Sequence, residues 1–204
     1  MEVAALDTPS FVSELFEAWA AAGDRCGRLR VLDVGTGSAR IPIALCAQRD
    51  EIEVVAVDRT AGVMRRAAEG VRRAGLETRI RLALADCRSL PLSDRSCDAV
   101  ISNGLVHHVA DRAALLSEML RVLRPGGLLF VRDSLRRPDA DTIGEVLGRS
   151  AAAGARTAER SRLPSAPLTM VEARSLLKSA GLPSDWLRRS GPLQWSFCGR
   201  RRVD

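Results

Sequence analysis

The sequence contains no tyrosine and few other aromatic residues. Four phenylalanines and three tryptophans account for 3% of its 204 residues. Proteins that bind single-stranded nucleic acid stack bases on aromatic side chains, so this scarcity disfavours that class. No apolar run approaches the length of about 18 residues that a membrane-spanning helix needs. The sequence therefore predicts neither a base-stacking nucleic-acid binder nor a membrane span.

The N-terminus lacks the features of a secretory signal peptide. It reads MEVAALDTPSFVSELFEAW, which is acidic and has no basic region followed by an apolar one. We therefore expect a cytoplasmic protein. The length predicts one domain, residues 1–204, and 46% apolar residues are enough for a full core.

Cysteine pairs with the spacing of a metal or redox site are also missing. The five cysteines are Cys26, Cys46, Cys87, Cys97 and Cys198. Their number is odd and no two have C-x-x-C spacing, so neither a disulfide framework nor a metal site is predicted. We expect reduced thiols, most of them buried.

Lysine is nearly absent from the sequence. Lys178 is the only lysine among 31 basic residues. The formal net charge is +6. A bias toward GC-rich codons and an anionic partner are two explanations that stay open. Arginines cluster near the C-terminus at Arg188, Arg189, Arg200, Arg201 and Arg202. Such a cluster could attract an anionic substrate or RNA.

Short apolar runs alternate with helical segments through the first two thirds of the chain. The runs occupy residues 31–35, 53–57, 79–84, 97–102 and 128–131. Strands that alternate with helices form βαβ units with parallel strands and right-handed crossovers. Runs without polar alternation are typical of strands covered on both faces. The pattern predicts an α/β fold with a doubly wound, Rossmann-like sheet.

The remaining segments differ from this alternation. Residues 1–28 are expected to form an N-terminal helical segment, with a helix over 8–22. Residues 136–168 are polar and contain three prolines. We interpret them as a substrate-cover insertion with one short helix near 141–153. An ordered surface connection is the alternative that stays open. Residues 185–201 are predicted to form a terminal hairpin.

Three predicted helices begin with capping residues. Thr60 and Asp111 are expected N-caps, because their side chains can accept hydrogen bonds from free backbone N–H groups. Thr169 and Glu172 form a capping-box pattern that opens the last helix.

The glycines after the first apolar run form the most informative motif, Asp33-Val34-Gly35-Thr36-Gly37. Glycine allows a tight turn and close approach to a ligand, and the helix behind it offers free N–H groups. Dinucleotides and S-adenosylmethionine both bind at such turns. A nicotinamide site needs G-x-G-x-x-G, and Arg40 occupies its third glycine position. Asp33 fits poorly beside a pyrophosphate but suits the ammonium group of S-adenosylmethionine, directly or through water.

Two further carboxylates follow the next two apolar runs. Asp58 can accept hydrogen bonds from both ribose hydroxyls, and Asp86 can accept one from an adenine amino group. Because parallel strands end at one edge of a sheet, both are predicted to line the same cleft as Asp33. Structural interpretations stay open: Asp58 as a neighbour of the helix start at Thr60, and Asp86 as a turn residue.

Four segments together resemble the class I S-adenosylmethionine-dependent methyltransferases. They are VLDVGTGSARIPIAL, VVAVDRTAGVMRRA, LADCRSLPLSDRSCDAVISNGLVHHVAD and LLSEMLRVLRPGGLLFVRD, within residues 29–133. The last two resemble the branch that methylates small molecules, including the quinone-biosynthesis C-methyltransferases. The resemblance implies a single methyltransferase domain with a seven-stranded, mostly parallel sheet. The terminal hairpin would supply its antiparallel strand.

The resemblance also implies which residues hold the methionine end of the cofactor. Gly35, Thr36 and Gly37 would surround the methionine portion. Ser102 and Asn103 would contact the ammonium group through their backbone carbonyls.

The adenosine end is implied in the same way. Asp58 would hold the ribose with Arg59 beside it, and Asp86 and the backbone of Cys87 would contact the adenine. Ala39 stands where the family often has a third glycine. Since alanine is small, we expect this change to have little effect.

A catalytic base is needed only if the methyl acceptor must lose a proton. His107 and His108, the two histidines of the chain, follow the fourth apolar run and are the candidates, because neutral imidazole suits this role near pH 7. Lining the substrate site and packing locally are alternatives that stay open. Arg132 and Asp133 close the fifth run and are expected at the same cleft edge. Asp133 could bind substrate or pair with Arg136 or Arg137, and we expect the pairing.

Together these features predict a methyltransferase that uses S-adenosylmethionine, produces S-adenosylhomocysteine and acts on a small molecule. The residues 102–105 replace the Asn/Asp-Pro-Pro-aromatic motif of enzymes that methylate adenine or glutamine, so base-flipping DNA chemistry is not expected. An RNA or protein methyltransferase and a non-catalytic S-adenosylmethionine-binding protein stay open. The acceptor atom and the oligomeric state are also open.

Overall fold

The computed structural model describes residues 7–20, 27–136 and 166–202. The strands are β1 (Leu29–Val34), β2 (Ile52–Asp58), β3 (Ile80–Leu84), β4 (Cys97–Asn103), β5 (Leu123–Ser134), β6 (Leu187–Gly191) and β7 (Gln194–Arg200). The α-helices are α1 (Thr8–Ala20), α2 (Arg40–Gln48), α3 (Ala61–Arg73), α4 (Arg112–Val122) and α5 (Met170–Ser179). Val106–His108 and Ser184–Trp186 form short 3₁₀ helices.

The strands form one seven-stranded sheet in the order β3-β2-β1-β4-β5-β7-β6. Neighbouring strands are parallel from β3 to β5. β7 is antiparallel to both of its neighbours, β5 and β6. The predicted Rossmann-like fold with an antiparallel C-terminal strand is confirmed, and so is the terminal hairpin.

The strand order opens a crevice beside β1. The chain runs outward from β1 through β2 to β3, then crosses back to β4 on the other side of β1. The connections that follow β1 and β4 therefore lead away in opposite directions. In sheets of this kind, ligands bind at the carboxyl ends of the strands where the order reverses.

Helices cover both faces of the sheet, which explains the unbroken apolar runs. Residues 97–102 of β4 are all buried. One face packs against α1, α2 and α3, where the rings of Phe11 and Phe130 lie 4.7 Å apart. The other face packs against α4 and α5 through the fully buried Leu116 and Leu177.

Two of the three predicted helix caps are confirmed. Asp111 caps α4 by accepting a backbone hydrogen bond at 2.9 Å, and Thr169 and Glu172 form the capping box of α5. Thr60 lies at the N-cap of α3, but its side chain accepts no capping hydrogen bond. The position is therefore as expected but the capping hydrogen bond is absent, and the Asp58 carboxylate accepts from the Thr60 backbone N–H at 2.9 Å.

The four cysteines in the described part of the chain are free thiols. Cys46 and Cys97 are buried, whereas Cys87 and Cys198 are partly exposed. Burial raises the pKa of all four thiols, so they are protonated at neutral pH and poorly reactive. Cys26 lies outside the described residues.

Some predicted features fall outside the described residues. They include the helix near 141–153, most of the substrate-cover insertion 136–168 and parts of the N-terminal segment 1–28. These assignments, and the single-domain organisation, stay predictions. None of the described helices is long and apolar enough to span a bilayer. The described residues also contain no group of acidic, histidine and cysteine side chains that could hold a metal ion.

Leu116→Ala should lower the free energy of unfolding by about 2–5 kcal/mol, because it empties a fully buried position between α4 and the sheet. Leu84→Ala is the matched control. Since 61% of Leu84 is exposed, its loss should change the unfolding free energy by no more than about 0.5 kcal/mol. Chemical denaturation measures both, and equal losses would contradict the described core.

Candidate functional site

A cavity of about 770 Å³ lies at the carboxyl ends of β1 to β4. Seven predicted cofactor-site residues line it: Gly35, Gly37, Asp58, Arg59, Asp86, Cys87 and Asn103. Leu105 and His108 line it as well. The fold therefore brings separate sequence motifs into one cavity, whose volume is typical of small-molecule and cofactor sites.

A second cavity of about 260 Å³ adjoins the first. The two share the wall residues Gly35, Gly37, Asn103 and Gly104. Asp33, Thr36 and Thr8 line only the smaller one. The two cavities are thus neighbouring parts of one cleft, with the glycine turn between them and the start of α1 at one end.

The glycine turn depends on backbone conformations that favour glycine. Gly35 and Gly37 have φ angles of +76° and +58°. A Cβ on Gly35 would lie 2.9 Å from the Leu105 side chain, so the turn leaves little room for a larger residue. The N–H groups of Gly35 and Thr36 donate to the Val57 carbonyl at 2.9 and 3.0 Å. These bonds hold the turn against the end of β2.

Ala39 adopts the same left-handed conformation, with a φ of +59°. The sequence suggested that alanine would have little effect here because it is small. The structure corrects this expectation: the backbone conformation, and not the space, favours glycine. An L-residue in this conformation costs roughly 1–2 kcal/mol relative to an ordinary helical one.

Asp33 is buried at the end of β1, with 1% of its surface exposed. Its Oδ2 atom has no hydrogen-bond partner among the described residues, and neither has the hydroxyl of Thr36. Burial raises the pKa of the Asp33 carboxyl to about 7; the nearby Thr36 hydroxyl lowers it and the charge of Asp58 adds to the rise. A buried carboxyl without a hydrogen-bond partner lowers the stability of the folded protein, and a cationic ligand would satisfy it.

Asp58 differs from Asp33 because the backbone holds its carboxylate in place. Oδ2 accepts from the Gly37 N–H at 3.2 Å, and Oδ1 accepts from the Thr60 N–H at 2.9 Å. A carboxylate has about four acceptor positions, so these two bonds leave others for a ligand. Asp58 is thus an oriented acceptor in the wall of the larger cavity.

Asp86 is bound by the residue two positions further on, Arg88. The guanidinium donates to both carboxylate oxygens at 2.7–3.3 Å, and the Arg88 backbone N–H donates to Oδ1 at 2.9 Å. These hydrogen bonds hold the pKa of Asp86 well below its usual range. The turn interpretation of Asp86 is therefore correct in part, while the residue also lines the larger cavity.

Ser102 and Asn103 end β4 but differ in position. Ser102 is fully buried, and its hydroxyl donates to the Val34 carbonyl at 2.8 Å, which joins the ends of β4 and β1. Asn103 lines both cavities. Its Oδ1 accepts from Nε of Arg132 at 3.3 Å.

The two histidines occupy different environments. Nδ1 of His107 lies 2.5 Å from Oδ1 of the fully buried Asp133, and the backbone N–H of His107 donates to Oδ2 at 3.2 Å. Because a carboxylate can only accept, Nδ1 carries hydrogen and Nε2 of the neutral ring is free to accept a proton. The His108 ring lies 3.9 Å from that of His107 and borders the larger cavity. Partial burial and the neighbouring His107 lower the pKa of His108.

The expected pairing of Asp133 with Arg136 is wrong, and the pairing with Arg137 stays a prediction. Asp133 binds His107, whereas Arg136 pairs with Glu172 at 2.5 Å. Arg137 lies outside the described residues. The Asp133 carboxylate is fully buried beside His107, whereas the partly buried Arg136 side chain reaches Glu172 instead.

Arg132 and Asp133 also do not share one environment. Arg132 contacts α1 while Asp133 contacts His107. Successive side chains of a strand point to opposite faces of the sheet. From this rule the sequence could have predicted that Arg132 and Asp133 contact different elements. Sequence reasoning also missed Thr8, which reaches the smaller cavity from α1.

A family model described as a methyltransferase domain matches residues 32–131. This range contains the glycine turn, the strand-end carboxylates Asp58 and Asp86, and the two histidines. It covers about half of the chain.

Curated relatives match the same part of the chain. A ubiquinone/menaquinone biosynthesis C-methyltransferase of Syntrophotalea carbinolica is 39% identical over 105 residues, which are 52% of this chain and 44% of that protein. A 27-O-demethylrifamycin SV methyltransferase of Amycolatopsis mediterranei is 32% identical over 124 residues, 57% of this chain and 45% of that protein. The chain thus spans less than half the length of these relatives.

Solved structures share the architecture over most of the chain. A SAM-dependent methyltransferase from Aquifex aeolicus has a TM-score of 0.65 and 18% identity, with 92% of this chain and 87% of that one covered. At this identity the likeness concerns the fold.

Asp33→Asn should change how the stability of the ligand-free protein depends on pH. The folded-state pKa of about 7 exceeds the ordinary value of 3.8, so the folded protein keeps a proton that the unfolded chain releases between about pH 4 and 7. Wild-type stability therefore falls as the pH rises through this window, by roughly 4 kcal/mol at most.

The variant lacks this titration, so its stability relative to the wild type should be higher at pH 8 than at pH 5. Denaturant unfolding at both pH values measures the difference. Parallel pH profiles for the two proteins would show that Asp33 does not titrate as described.

Proposed function

Because the chain carries a methyltransferase domain of the class I, S-adenosylmethionine-dependent family, we propose that it transfers a methyl group from S-adenosylmethionine to a small-molecule acceptor. S-adenosylhomocysteine is the second product. The observation that carries the proposal is Asp33, a buried carboxyl whose Oδ2 has no partner among the described residues. It lies in a cleft that also contains Asp58 and Asp86.

The residues of the smaller cavity fit the amino-acid end of this cofactor. An ammonium group beside Asp33 would give Oδ2 its missing donor and would favour the ionised carboxylate. Gly35, Thr36 and Gly37 would surround the methionine portion. The backbone carbonyls of Ser102 and Asn103 would supply further acceptors for the ammonium group.

The larger cavity fits the adenosine end. Asp58, already oriented by two backbone N–H groups, would accept from the ribose hydroxyls, with Arg59 beside it. Asp86 would accept from the adenine amino group in place of one of the hydrogen bonds from the exposed Arg88 side chain. The backbone of Cys87 would contact the adenine ring.

When bound, S-adenosylmethionine supplies a methyl group already activated by the sulfonium. The chain's own residues orient the acceptor, exclude water and take up a proton where the acceptor must lose one. His107 would take up that proton, since Asp133 fixes its Nδ1–H and leaves Nε2 as the base. Of the two histidines, His108 is the one that lines the larger cavity, and the His107 ring lies directly behind it. The buried carboxylate would then stabilise the imidazolium.

His108 would line the part of the larger cavity that adenosine leaves to the methyl acceptor in this scheme. It borders the larger cavity, and its lowered pKa keeps the ring neutral at pH 7. A neutral ring does not repel the positive charge that His107 gains during the reaction.

The histidine pair favours acceptors that lose a proton, such as a hydroxyl group or an acidic carbon. The two curated relatives are named for a C-methylation in quinone biosynthesis and for methylation of a demethylrifamycin. Both names describe small-molecule acceptors. A hydroxylated or enolisable small molecule is therefore the acceptor class that we propose.

The C-terminal arginines do not support the RNA alternative. Arg189, Arg200 and Arg201 donate to backbone carbonyl oxygens at 2.6–3.1 Å. Arg188 contacts the hydroxyl of Ser196 at 3.3 Å. These contacts give four of the five arginines a structural role at the edge of the sheet.

Asp58→Asn should raise the dissociation constant for S-adenosylhomocysteine about 10- to 100-fold, because hydrogen bonds to a charged acceptor contribute about 1.5–3 kcal/mol. Isothermal titration calorimetry measures this loss. Asp94→Asn is the matched control: Asp94 is 72% exposed and pairs with Arg121. An unchanged affinity in Asp58→Asn would contradict the ribose assignment.

His107→Asn should lower kcat by about 10²- to 10⁴-fold, the usual contribution of a positioned base, without weakening S-adenosylhomocysteine binding. A panel of phenolic and hydroxylated small molecules, with release of S-adenosylhomocysteine as the readout, supplies the activity. The defect should shrink as the pH rises, because the solvent then deprotonates the acceptor.

His108→Asn is the neighbouring control and should cause the smaller loss of kcat. A loss in His107→Asn that stays constant across pH, or a larger loss in His108→Asn, would contradict the assignment of His107 as the base.

A further inference from the structure

Arg132 is a fully buried cation at the end of β5, and it does not belong to any motif of the cofactor site. Three of its contacts go to the start of α1. Nη1 donates to the Ser10 hydroxyl at 2.7 Å and to the Glu14 carboxylate at 3.2 Å, and Nη2 donates to the Asp7 carbonyl at 2.7 Å. The guanidinium also lies 5.1 Å from the ring centre of Phe11.

The same residue also holds the end of β4. Its Nε donates to Oδ1 of Asn103 at 3.3 Å, and its carbonyl accepts from the Gly104 N–H at 2.9 Å. Asn103 and Gly104 line both cavities of the cleft. The guanidinium of Arg132 therefore links α1 to Asn103 in the wall of the cleft.

The joined segment of α1 closes the end of the cleft where Asp33 lies. Thr8, between Asp7 and Ser10, lines the smaller cavity together with Asp33 and Thr36. Within the described residues, β5 contacts the segment 7–14 through Arg132 and through Phe130, whose ring lies 4.7 Å from that of Phe11. The aromatic contact packs α1 on the sheet, and the directional hydrogen bonds of Arg132 hold the residues on either side of Thr8.

Because the Arg132 side chain is buried, it needs these hydrogen-bond partners. A cation withdrawn from water is destabilising by several kcal/mol unless it is paired and fully hydrogen-bonded. Most of the acceptors that compensate Arg132 come from residues 7–14. The end of β5 is therefore stable as described only when this segment is docked.

We propose that Arg132 is a positioning residue that fixes residues 7–14 of α1 as the outer wall of the amino-acid subsite. It does so without touching the cofactor. This inference rests on the proposed function, because the subsite is the one assigned above to the methionine end of S-adenosylmethionine. It predicts that the contacts of Arg132 determine affinity for the amino-acid part of the cofactor and not for adenosine.

The test compares two ligands that differ only at that end. S-adenosylhomocysteine carries the amino-acid group, whereas 5′-methylthioadenosine lacks it and keeps the adenosine and sulfur. Arg132→Lys keeps the charge but loses the planar fork that reaches several acceptors at once. It should weaken S-adenosylhomocysteine about tenfold or more, equivalent to about 1.4 kcal/mol. Its affinity for 5′-methylthioadenosine should stay unchanged.

Two further variants separate positioning from general destabilisation. Ser10→Ala removes the 2.7 Å contact from the α1 side without changing a charge, and it should give a smaller loss with the same ligand selectivity. Arg188→Lys is the control, because Arg188 contacts the same Glu14 at 3.5 Å but is 53% exposed. It should alter neither affinity.

Hydrogen exchange gives a readout that does not depend on ligand. Amides of residues 8–20 should exchange faster in Arg132→Lys than in the wild type, while those of β1 and β4 should not. Faster exchange confined to α1 supports the proposed docking role.

The outcomes distinguish this inference from the proposed function. Equal weakening of both ligands in Ser10→Ala and Arg132→Lys, or no weakening of either, would overturn the role of Arg132 while leaving the cofactor assignment intact. A wild-type protein that binds neither ligand would overturn the proposed function, and this inference with it.

Discussion

The position of β1 between β2 and β4 is the constraint on which the rest of the structure depends. Parallel pairing on both sides places Asp33 opposite Ala56 of β2 and Ile101 of β4, so this carboxyl lies inside the sheet and away from water. The same strand order sends the connections after β1 and β4 in opposite directions and opens the cleft. One topological feature thus creates both the cavity and the buried charge within it.

The other carboxylates at the ends of the strands are held by partners, and Asp33 differs from them in this respect. Backbone N–H groups orient Asp58, Arg88 binds Asp86, and His107 binds Asp133. Groups fixed before the ligand arrives lose little freedom on binding. Asp33 alone among these four has an oxygen without a partner. Burial of this carboxyl raises its pKa and lowers the stability of the folded protein at neutral pH. A cationic ligand beside Asp33 would restore that stability.

The sequence was sufficient to predict the elements and their order. Apolar runs that alternate with helices allow few topologies, and strand-end residues such as Asp58 must then meet at one edge of the sheet. What the sequence could not show were contacts between distant segments. The binding of Asp133 to His107 depends on the register of β5 beside β4, and the contacts of Arg132 depend on how α1 docks. The effect of Ala39 was misjudged because the sequence does not show that the backbone at this position has a positive φ angle.

A thermal-shift titration of the wild-type chain with S-adenosylhomocysteine, beside NAD, tests the central claim most directly. A ligand at 100 times its dissociation constant adds roughly 2.7 kcal/mol to stability. For a chain of this size each kcal/mol raises the Tm by about 2–4 °C. The account predicts a rise of several degrees with S-adenosylhomocysteine and none with NAD. A rise with NAD alone would contradict it, because the cleft would then be a dinucleotide site.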